Sequence, residues 1–395
     1  MKNKASLTVI FFTVFIDLMG FGILIPILPT FASKDLGVSD FEIGFLIAVF
    51  SLVQFLFNPL LGKMSDKFGR RPLILITLLL TAASYIIFSF AASFLVLFLS
   101  RLLAGFGGSN IGVAQAYIAD VTHKKDRAKG MGLIGAAFGL GFVFGPVIGG
   151  FLSKLGYEYA GYGSAAFSFL AFIFAFIFLP ESNTKKKSES KLGFKLFDWK
   201  FTKETIKNPS VSLMMLLFFI IVFSMANIYG TFAILGYKHY GFTDIQNSYL
   251  FGIIGIVGAI MQGGAIRSLS KIFTDRTLVL TGSIFMMLGL GLLPYGGNFT
   301  GVGIVGGVLA IGTGILQPTL LSMISKFAPS TQQGAVLGLN QSFASFARVL
   351  GPLWGGFSYE FLGYEFPFLT GAAFTLLTFI ITLIFLNSSK VKESY

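Results

Sequence analysis

The segment Gly62-Lys63-Met64-Ser65-Asp66-Lys67-Phe68-Gly69-Arg70-Arg71-Pro72 is a short polar turn between two apolar runs, at 41–61 and 72–92. An α-helix needs about 20 apolar residues to cross the hydrocarbon core of a bilayer, so each flanking run is long enough to span a membrane. Lys and Arg at such a turn set the orientation of the protein in the membrane. The acid Asp66 does not serve that purpose, so the turn also predicts a further role for its charges.

Similar apolar runs follow along the whole chain, and we count twelve. They lie near 6–30, 41–61, 72–92, 95–119, 130–152, 161–179, 211–235, 246–266, 277–294, 299–321, 334–358 and 366–386. The ten-residue alternating segments typical of transmembrane barrels are absent from the sequence. The sequence therefore predicts an all-α integral membrane protein.

The composition agrees with this fold class. Of the 395 residues 54% are hydrophobic and only 12% are charged, whereas a soluble domain carries about 25% charged residues. The sequence contains no Cys and two His, which excludes thiolate metal sites and disulfides and disfavours a His-based zinc site. It also has no G-x-x-x-x-G-K-[ST] motif for ATP and no discernible catalytic constellation. We expect neither a metal, nor a cofactor, nor an enzyme activity.

The net charge of +12 reflects membrane topology. Most of the Lys and Arg residues fall in the terminal segments, the alternate short loops and the stretch 183–209. The opposite loops hold only Lys34, Lys154 and Lys238. Because cytoplasmic loops are enriched in Lys and Arg, both termini are predicted to be cytoplasmic, in a multi-pass protein of the plasma (inner) membrane. The basic loops are short and scattered, so nucleic acid is not an expected partner.

An internal repeat divides the chain into two halves. Gly145-Pro146-Val147-Ile148-Gly149-Gly150 recurs 206 residues later as Gly351-Pro352-Leu353-Trp354-Gly355-Gly356, which relates the fifth span to the eleventh. Two parallel repeats of six helices are a transporter arrangement with a site near the midplane. We predict a six-helix bundle at 1–182, a cytoplasmic linker at 183–209 and a second bundle at 210–395. Chance recurrence of a small-residue packing motif is the weaker alternative.

The turn at 62–72 closely resembles the G-x-x-x-D-R-x-G-R-R signature of the major facilitator superfamily, with Lys67 at the first basic position. Arg101-Leu102-Leu103-Ala104-Gly105 and Gly141-x-x-x-Gly145-Pro146-x-x-Gly149-Gly150 resemble segments of its drug:proton antiporter branch, in particular the tetracycline exporters. The resemblance implies twelve helices in two pseudo-symmetric bundles, working as a monomer. It also implies proton-coupled export of lipophilic small molecules by alternating access. Proton-coupled or facilitated uptake of a solute, and lipid handling by the same fold, are the alternatives.

The turn predicts a conformational latch. Asp66 is expected to face a helix N-terminus, where the macrodipole favours an acid. Arg70 is expected to reach Asp120 at the inner end of span four. The alternative is that the cations of the turn only set topology. The predicted latch residues are Gly62, Asp66, Gly69, Arg70 and Asp120.

Span five carries a face of glycines, which allows close helix packing. We expect this face against span eight, with a bending and sealing role for the Gly-Pro pair because Pro removes one helix hydrogen bond. Static packing is the alternative. The residues are Gly141, Gly145, Pro146, Gly149 and Gly150.

Three charged residues lie clearly inside spans: Asp17, Arg101 and Arg348. Burial opposes ionisation of a carboxylate and a nearby cation favours it, so a pair of Asp17 with Arg101 is predicted to couple transport to protons. A permanent structural ion pair is the rival interpretation. Arg348 is expected to be structural, since a long cation can snorkel or bond to carbonyls.

Eight amides inside spans are candidates for lining a substrate cavity, although each also suits an ordinary interhelical hydrogen bond. They are Gln54, Asn110, Gln115, Asn227, Gln262, Gln317, Asn340 and Gln341. Where the tetracycline exporters carry an acid in the third helix this chain has Ser84-Tyr85, and the spans of its second half hold no acid. A lipophilic, neutral or weakly charged substrate is therefore expected, and tetracycline is doubtful.

Overall fold

The first half of the chain forms six long helices. The computed structural model describes residues 2–122, 127–183, 199–329 and 332–386, and within those ranges every regular element is helical. The first six helices are α1 (Lys2–Lys34), α2 (Asp40–Phe68), α3 (Arg70–Ser89), α4 (Phe94–Val121), α5 (Arg127–Leu152) and α6 (Tyr157–Phe178).

The second half repeats this plan after a nine-residue helix, Trp199–Lys207, which lies in the predicted linker. Its helices are α7 (Pro209–His239), α8 (Asp244–Ile260 continued by Met261–Ala265 and Ile266–Ile272), α9 (Asp275–Tyr295), α10 (Phe299–Phe327), α11 (Gln333–Phe361) and α12 (Phe366–Phe385).

These twelve helices correspond to the twelve predicted spans, which confirms the all-helical membrane fold. Ten of them, all but α8 and α11, are long and apolar enough to cross a membrane. In α8 the apolar helix Asp244–Ile260 is shorter and is followed by the π-helical turn Met261–Ala265. In α11 polar side chains such as Asn340 and Arg348 interrupt the apolar sequence.

The chain divides into two compact units. The first contains α1, α2 from Val49 onward, α3 to α6, and the segment Thr243–Gly252 at the start of α8. The second contains Ser39–Ala48 at the start of α2, then α7, the rest of α8, and α9 to α12. The proposed division at 1–182, 183–209 and 210–395 stays a prediction, and residues 184–198 of the linker lie outside the described residues.

α1 is central to the first unit, where it packs against both α5 and α6. Aliphatic side chains such as Ile10, Val14 and Leu78 form a core there, which Tyr117 joins with no exposed surface. In the second unit α7 packs against α11, and α9 packs against α10 and α12.

Two helices are interrupted near the middle of their length, which brings polar groups to mid-depth. α4 consists of Phe94–Gly107 and Asn110–Val121, with a turn at Gly108 and Ser109 between them. α7 consists of Pro209–Ala226 and Thr231–Ile234, with a turn at 227–230, and ends in the π-helical turn Leu235–His239. Each interruption frees backbone groups that a side chain or neighbouring helix has to satisfy.

Candidate functional site: a buried carboxylate and two charged helix ends

The polar turn at 62–72 reverses the chain at Gly69, whose φ of 106° belongs to the region that favours glycine. α3 begins directly after it. The Glu181 carboxylate accepts hydrogen bonds from the backbone N–H groups of Arg70, at 2.9 Å, and of Arg71, at 3.1 Å. Glu181 therefore supplies the anion at the N-terminus of α3, where the free N–H groups and the helix dipole favour negative charge. Asp66 lies in the last turn of α2, and the expectation that it faces a helix N-terminus stays a prediction.

Arg70 is the centre of an ion-pair cluster in the first unit. Its side chain is buried, its Nη2 lies 2.5 Å from Asp66 Oδ1 and its Nε lies 3.1 Å from Asp120 Oδ2. Nη1 donates to the carbonyl oxygen of Gly62 at 3.3 Å and to the hydroxyl of Ser65. One guanidinium thus joins the ends of α2, α3 and α4. A Cβ at Gly62 would meet nothing within 4 Å, so this glycine contributes its carbonyl rather than close packing.

The equivalent ends of the second unit also carry an ion pair. Lys326 Nζ, at the end of α10, lies 2.6 Å from Asp275 Oδ2, at the start of α9. Lys326 follows Asp120 by the 206 residues of the internal repeat. The same two helix ends are therefore joined in both units, and the sign of the charges is reversed.

Asp17 lies in the middle of α1 and is 6% exposed. Its Oδ2 accepts a hydrogen bond from Asn110 Nδ2 at 2.9 Å, and its Oδ1 accepts one from Ser168 Oγ at 2.7 Å. Asn110 is the first residue after the interruption of α4, and Ser168 lies on the small-residue face of α6. The carboxylate is thus held by two neutral donors from two neighbouring helices.

The predicted ion pair of Asp17 with Arg101 is not formed. Arg101 is 5% exposed, and its guanidinium approaches the Phe88 ring at 6.0 Å and Ser100 Oγ at 3.5 Å, while its Nη2 is buried without a partner. Arg101 stands nine residues before Asn110 on α4, which at the helical rise displaces it by about 13 Å along the axis.

The glycine face of α5 packs against α1. A Cβ at Gly145 would lie 2.6 Å from Gly22 Cα, one at Gly141 would lie 2.9 Å from Leu18 Cβ, and one at Gly149 would collide with the carbonyl of Ile23. Our expectation that this face meets span eight is wrong for these three positions. The reason is that α1, with its own small residues, approaches more closely than α8.

Gly150 does meet α8. A Cβ there would lie 2.7 Å from Ser248 Cβ, inside the first unit. α5 continues through Pro146 as one helix.

The repeated glycines of α11 make the same contacts in the second unit. A Cβ at Gly351 would lie 2.7 Å from Ala226 Cβ of α7, and one at Gly355 would collide with the carbonyl of Asn227. A Cβ at Gly356 would lie 2.5 Å from the carbonyl oxygen of Asp40, at the start of α2. The glycines of α5 thus contact α1 and the start of α8, and the equivalent glycines of α11 contact α7 and the start of α2. The sequence repeat therefore preserves the helix packing.

Three of the eight candidate cavity amides bridge helices. Asn110 bonds to Asp17, and Gln54 Nε2 donates to the free carbonyl of Gly108 at 2.9 Å, in the interruption of α4. Asn227 Nδ2 donates to Pro367 O at 2.5 Å and to Thr370 Oγ1 at 3.2 Å, which joins the interruption of α7 to α12.

Among the residues that the structure describes, the other five amides have no side-chain hydrogen bond to a helix. The amide of Asn340 is buried without a partner, whereas Gln317 is half-buried and Gln115, Gln262 and Gln341 are exposed. Three of the eight residues lie in the first unit and five in the second.

A family comparison decides the identity of the fold. The model of the Major Facilitator Superfamily matches residues 10–309 and 266–394. This chain belongs to the Major Facilitator Superfamily. As a superfamily member it is a multi-pass membrane transporter.

Two curated members of the superfamily are similar along most of their length. Multidrug resistance protein 1 of Bacillus subtilis (strain 168) is 31% identical over 376 residues, which cover 93% of this chain and 94% of that protein. Tetracycline resistance protein, class E, of Escherichia coli is 32% identical over 358 residues, which cover 88% of this chain and 86% of that protein. The crystal structure of the human organic anion transporter MFSD10 (TETRAN) aligns with a TM-score of 0.72 and 24% identity, over 97% of this chain and 100% of that one. This last likeness shows the fold alone.

Charged contacts at the predicted outer helix ends of this superfamily member were not expected from its sequence. Lys238 Nζ lies 2.7 Å and 2.9 Å from the two carboxylate oxygens of Asp40, inside the second unit. Tyr157 Oη donates to Asp244 Oδ2 at 2.9 Å, inside the first unit. Asp40 begins α2 and Asp244 begins its repeat equivalent α8, so an acid in the first turn of each helix was the available signal.

Ser168 and Glu181 were not expected as site residues. The spacing of Gly161, Ser164 and Ser168 marks a small polar face on α6 that points to a close neighbour, and α1 is that neighbour. Glu181 lies in Pro180-Glu181-Ser182, directly after α6. Its cap on α3 joins residues 111 positions apart in sequence, which no local pattern reveals.

Proposed function

We propose that this transporter is a proton-coupled antiporter that exports lipophilic small molecules by alternating access. The names of its relatives, which are multidrug and tetracycline resistance proteins, support export. We further propose that it works as a monomer in the plasma membrane with both termini cytoplasmic, as the placement of Lys and Arg predicts. The two six-helix bundles and the linker at 183–209 belong to the same proposal.

The hydrogen bonds of Asp17 carry the proton-coupling part of the proposal. Within the described part of the membrane-spanning helices Asp17 is the one carboxylate near mid-depth, and an ionisable group at that depth marks a pathway. A carboxylate paired with a fixed cation leaves that cation buried and unpaired whenever it takes up a proton. Asp17 is held by an amide and a hydroxyl instead, so protonation takes no direct ion-pair partner away from a cation.

The same two partners suit both protonation states. The ionised carboxylate accepts from Asn110 Nδ2 and from the Ser168 hydroxyl. The protonated form has an O–H donor, and a Ser hydroxyl that rotates can accept from it. A proton can therefore bind and leave with a local rearrangement. Coupling then requires only that one conformation binds the proton, and the other the substrate, more tightly.

The charged helix ends have a separate role in this proposal. The Arg70 cluster joins the predicted inner ends of α2, α3 and α4, and the Asp40–Lys238 pair joins predicted outer ends. Alternating access requires contacts on each side of the membrane that form in one conformation and break in the other. We assign the Arg70 cluster to the inner side of the membrane and the Asp40–Lys238 pair to the outer side.

Transport by the full chain in proteoliposomes tests the proposal. A fluorescent dye panel is loaded, and export is followed with and without an imposed pH gradient. The wild type is expected to concentrate at least one lipophilic dye only when the gradient is present. Asp17→Asn is expected to lose this gradient-driven step and keep dye binding, while Glu204→Gln, at an exposed acid in the linker helix, is expected to transport normally. Undiminished concentrative export by Asp17→Asn would exclude Asp17 as the coupling group.

A further inference from the structure

The charges inside the described spans do not cancel. Away from the helix ends they consist of one acid, Asp17, and two cations, Arg101 and Arg348. An uncompensated charge at membrane depth is costly, and such groups usually face a polar partner or a transported one. The spans therefore carry an excess of positive charge, and protonation of Asp17 increases it.

Arg348 is the cation of the second unit, and it lies too deep to reach the membrane surface. It stands 15 residues after the start of α11 and 13 before its end, which corresponds to about 22 Å and about 20 Å of helix. An arginine side chain is far shorter than either distance. Of the two ways in which Arg348 was expected to be structural, snorkelling does not fit this depth, and the structural role itself stays a prediction.

Arg348 has donors without acceptors. Its Nη2 donates to Ser345 Oγ at 3.1 Å, one helical turn away, which uses one of the five N–H groups of a guanidinium. No ion pair joins it to an acid among the residues that the structure describes. The acids of the second unit that the structure describes lie at helix ends, in loops or in the linker helix, as Asp40, Asp275 and Glu204 do. The side chain is half-buried, so the guanidinium remains accessible to a bound group.

A second polar side chain accompanies Arg348. The interruption of α7 at 227–230 packs against α11 close to Arg348, because a Cβ at Gly351, one turn further along α11, would lie 2.7 Å from Ala226 Cβ and 2.8 Å from Asn227 N; Tyr229 in that turn is 37% exposed. A phenol is both a donor and an acceptor. Ser345 and Arg348 on α11 and Tyr229 on α7 thus offer an anion a bidentate cation and two hydroxyl groups from two packed helices.

We propose that Arg348, with Ser345 and Tyr229, is a subsite for an acidic group of the transported molecule, which rests on the export function proposed above. The substrate class is lipophilic organic acids or zwitterions that bear a carboxylate or a sulfonate. Guanidinium binds both groups through two parallel hydrogen bonds, and the low dielectric at this depth strengthens the attraction. A purely cationic amphiphile finds a single acid away from the helix ends of the described spans, Asp17, which is 6% exposed and already accepts hydrogen bonds from Asn110 and Ser168.

Three naphthalene probes that differ in charge test the subsite. They are 5-(dimethylamino)naphthalene-1-sulfonate, its uncharged sulfonamide, and that sulfonamide bearing a trimethylammonium group. Their fluorescence rises in apolar sites, so binding to the purified full chain in lipid nanodiscs can be titrated directly. The variants are Arg348→Gln and Arg348→Lys. Arg267→Gln is the matched control, because Arg267 lies exposed near the end of α8.

The sulfonate is expected to bind about tenfold or more weakly to Arg348→Gln, since hydrogen bonds to a charged group contribute at least that factor. The affinity for the uncharged sulfonamide is expected to change less than about twofold in Arg348→Gln. Arg348→Lys is expected to recover part of the sulfonate affinity, and Arg267→Gln is expected to bind the sulfonate as the wild type does. Equal losses for the sulfonate and the sulfonamide would reassign Arg348 to a structural role. Failure of the wild type to bind the sulfonate overturns the subsite as well.

Transport of the same probes separates this inference from the proposed function. Export of the cationic probe alone, with Arg348→Gln unaffected, would retain the exporter and overturn the subsite. Binding of the sulfonate through Arg348, without pH-driven export of any probe, would retain the subsite and overturn the exporter.

Discussion

The close approach of α1 and α5 gives a prediction in which one substitution has opposite effects at two positions of the same helix. A Cβ at Gly145 would lie 2.6 Å from Gly22 Cα, 2.7 Å from Gly22 C and 2.8 Å from Met19 O, all of them backbone atoms of α1. A Cβ at Gly135 would meet nothing within 4 Å. Gly145→Ala therefore forces two helices apart, whereas Gly135→Ala only replaces a poor helix former.

The magnitudes follow from these contacts. Overpacking a tight contact costs about 1–3 kcal/mol, and the upper value applies at Gly145 because helix backbone yields less than a side chain. Alanine in place of glycine stabilises a helix by about 1 kcal/mol. We therefore expect Gly145→Ala to lower the free energy of unfolding by about 2 kcal/mol and Gly135→Ala to raise it by up to about 1 kcal/mol.

Thermal unfolding in detergent, followed by fluorescence-detected size-exclusion chromatography, measures both variants. The repeat supplies an independent pair on α11. Gly351→Ala is expected to destabilise, because its Cβ would lie 2.7 Å from Ala226 Cβ, and Gly338→Ala is not, because it meets nothing within 4 Å. Equal stability of Gly145→Ala and Gly135→Ala would refute the reasoning that backbone contact with α1 requires glycine there.

Three further predictions concern the charged helix ends. Glu181→Gln is expected to lower the free energy of unfolding by about 1 kcal/mol, since it removes the anion at the start of α3. Glu204→Gln is the control, and an equal thermal shift in that variant would contradict the prediction. A double-mutant cycle of Asp40→Asn and Lys238→Gln is expected to give a coupling energy of about 1 kcal/mol, and no coupling would reduce the pair to an incidental surface contact. Asp66→Asn is expected to slow transport and leave dye affinity unchanged, because Asp66 lies in the Arg70 cluster at a helix end, and normal transport would return the turn to a topological role.

The helices and their number follow from the sequence because lipid imposes a simple requirement. Every backbone group in a membrane must be hydrogen-bonded within its own segment, so long apolar runs form helices whatever their neighbours are. The internal repeat is also visible in the sequence itself. The contacts of Gly145 with α1 and of Gly351 with α7 show that the repeat preserves close helix packing. The interruptions of α4 and α7 carry no comparable signal, since Gly108 is one of many glycines in the spans.

The partners of the site residues depend on tertiary packing and were predicted less well. Asp17 was recognised as a buried acid, but its partners Asn110 and Ser168 come from two other helices and from an interruption in one of them. Arg101 was chosen as partner by charge alone, and the helical rise separates the two residues. Glu181 was missed because the carboxylate that caps α3 comes from the segment after α6. The residue types alone point to the charged groups of the site. The partners of these groups depend on their position along the helix and on the neighbouring helices.

The most direct measurement of the central claim is proton release when substrate binds. The purified full chain is placed in weakly buffered detergent solution with a pH-indicator dye, and a transported probe is added. We expect the wild type and Glu204→Gln to release protons, and Asp17→Asn to bind the probe without releasing any. Equal proton release by Asp17→Asn and the wild type would show that a group other than Asp17 carries the exchanged proton.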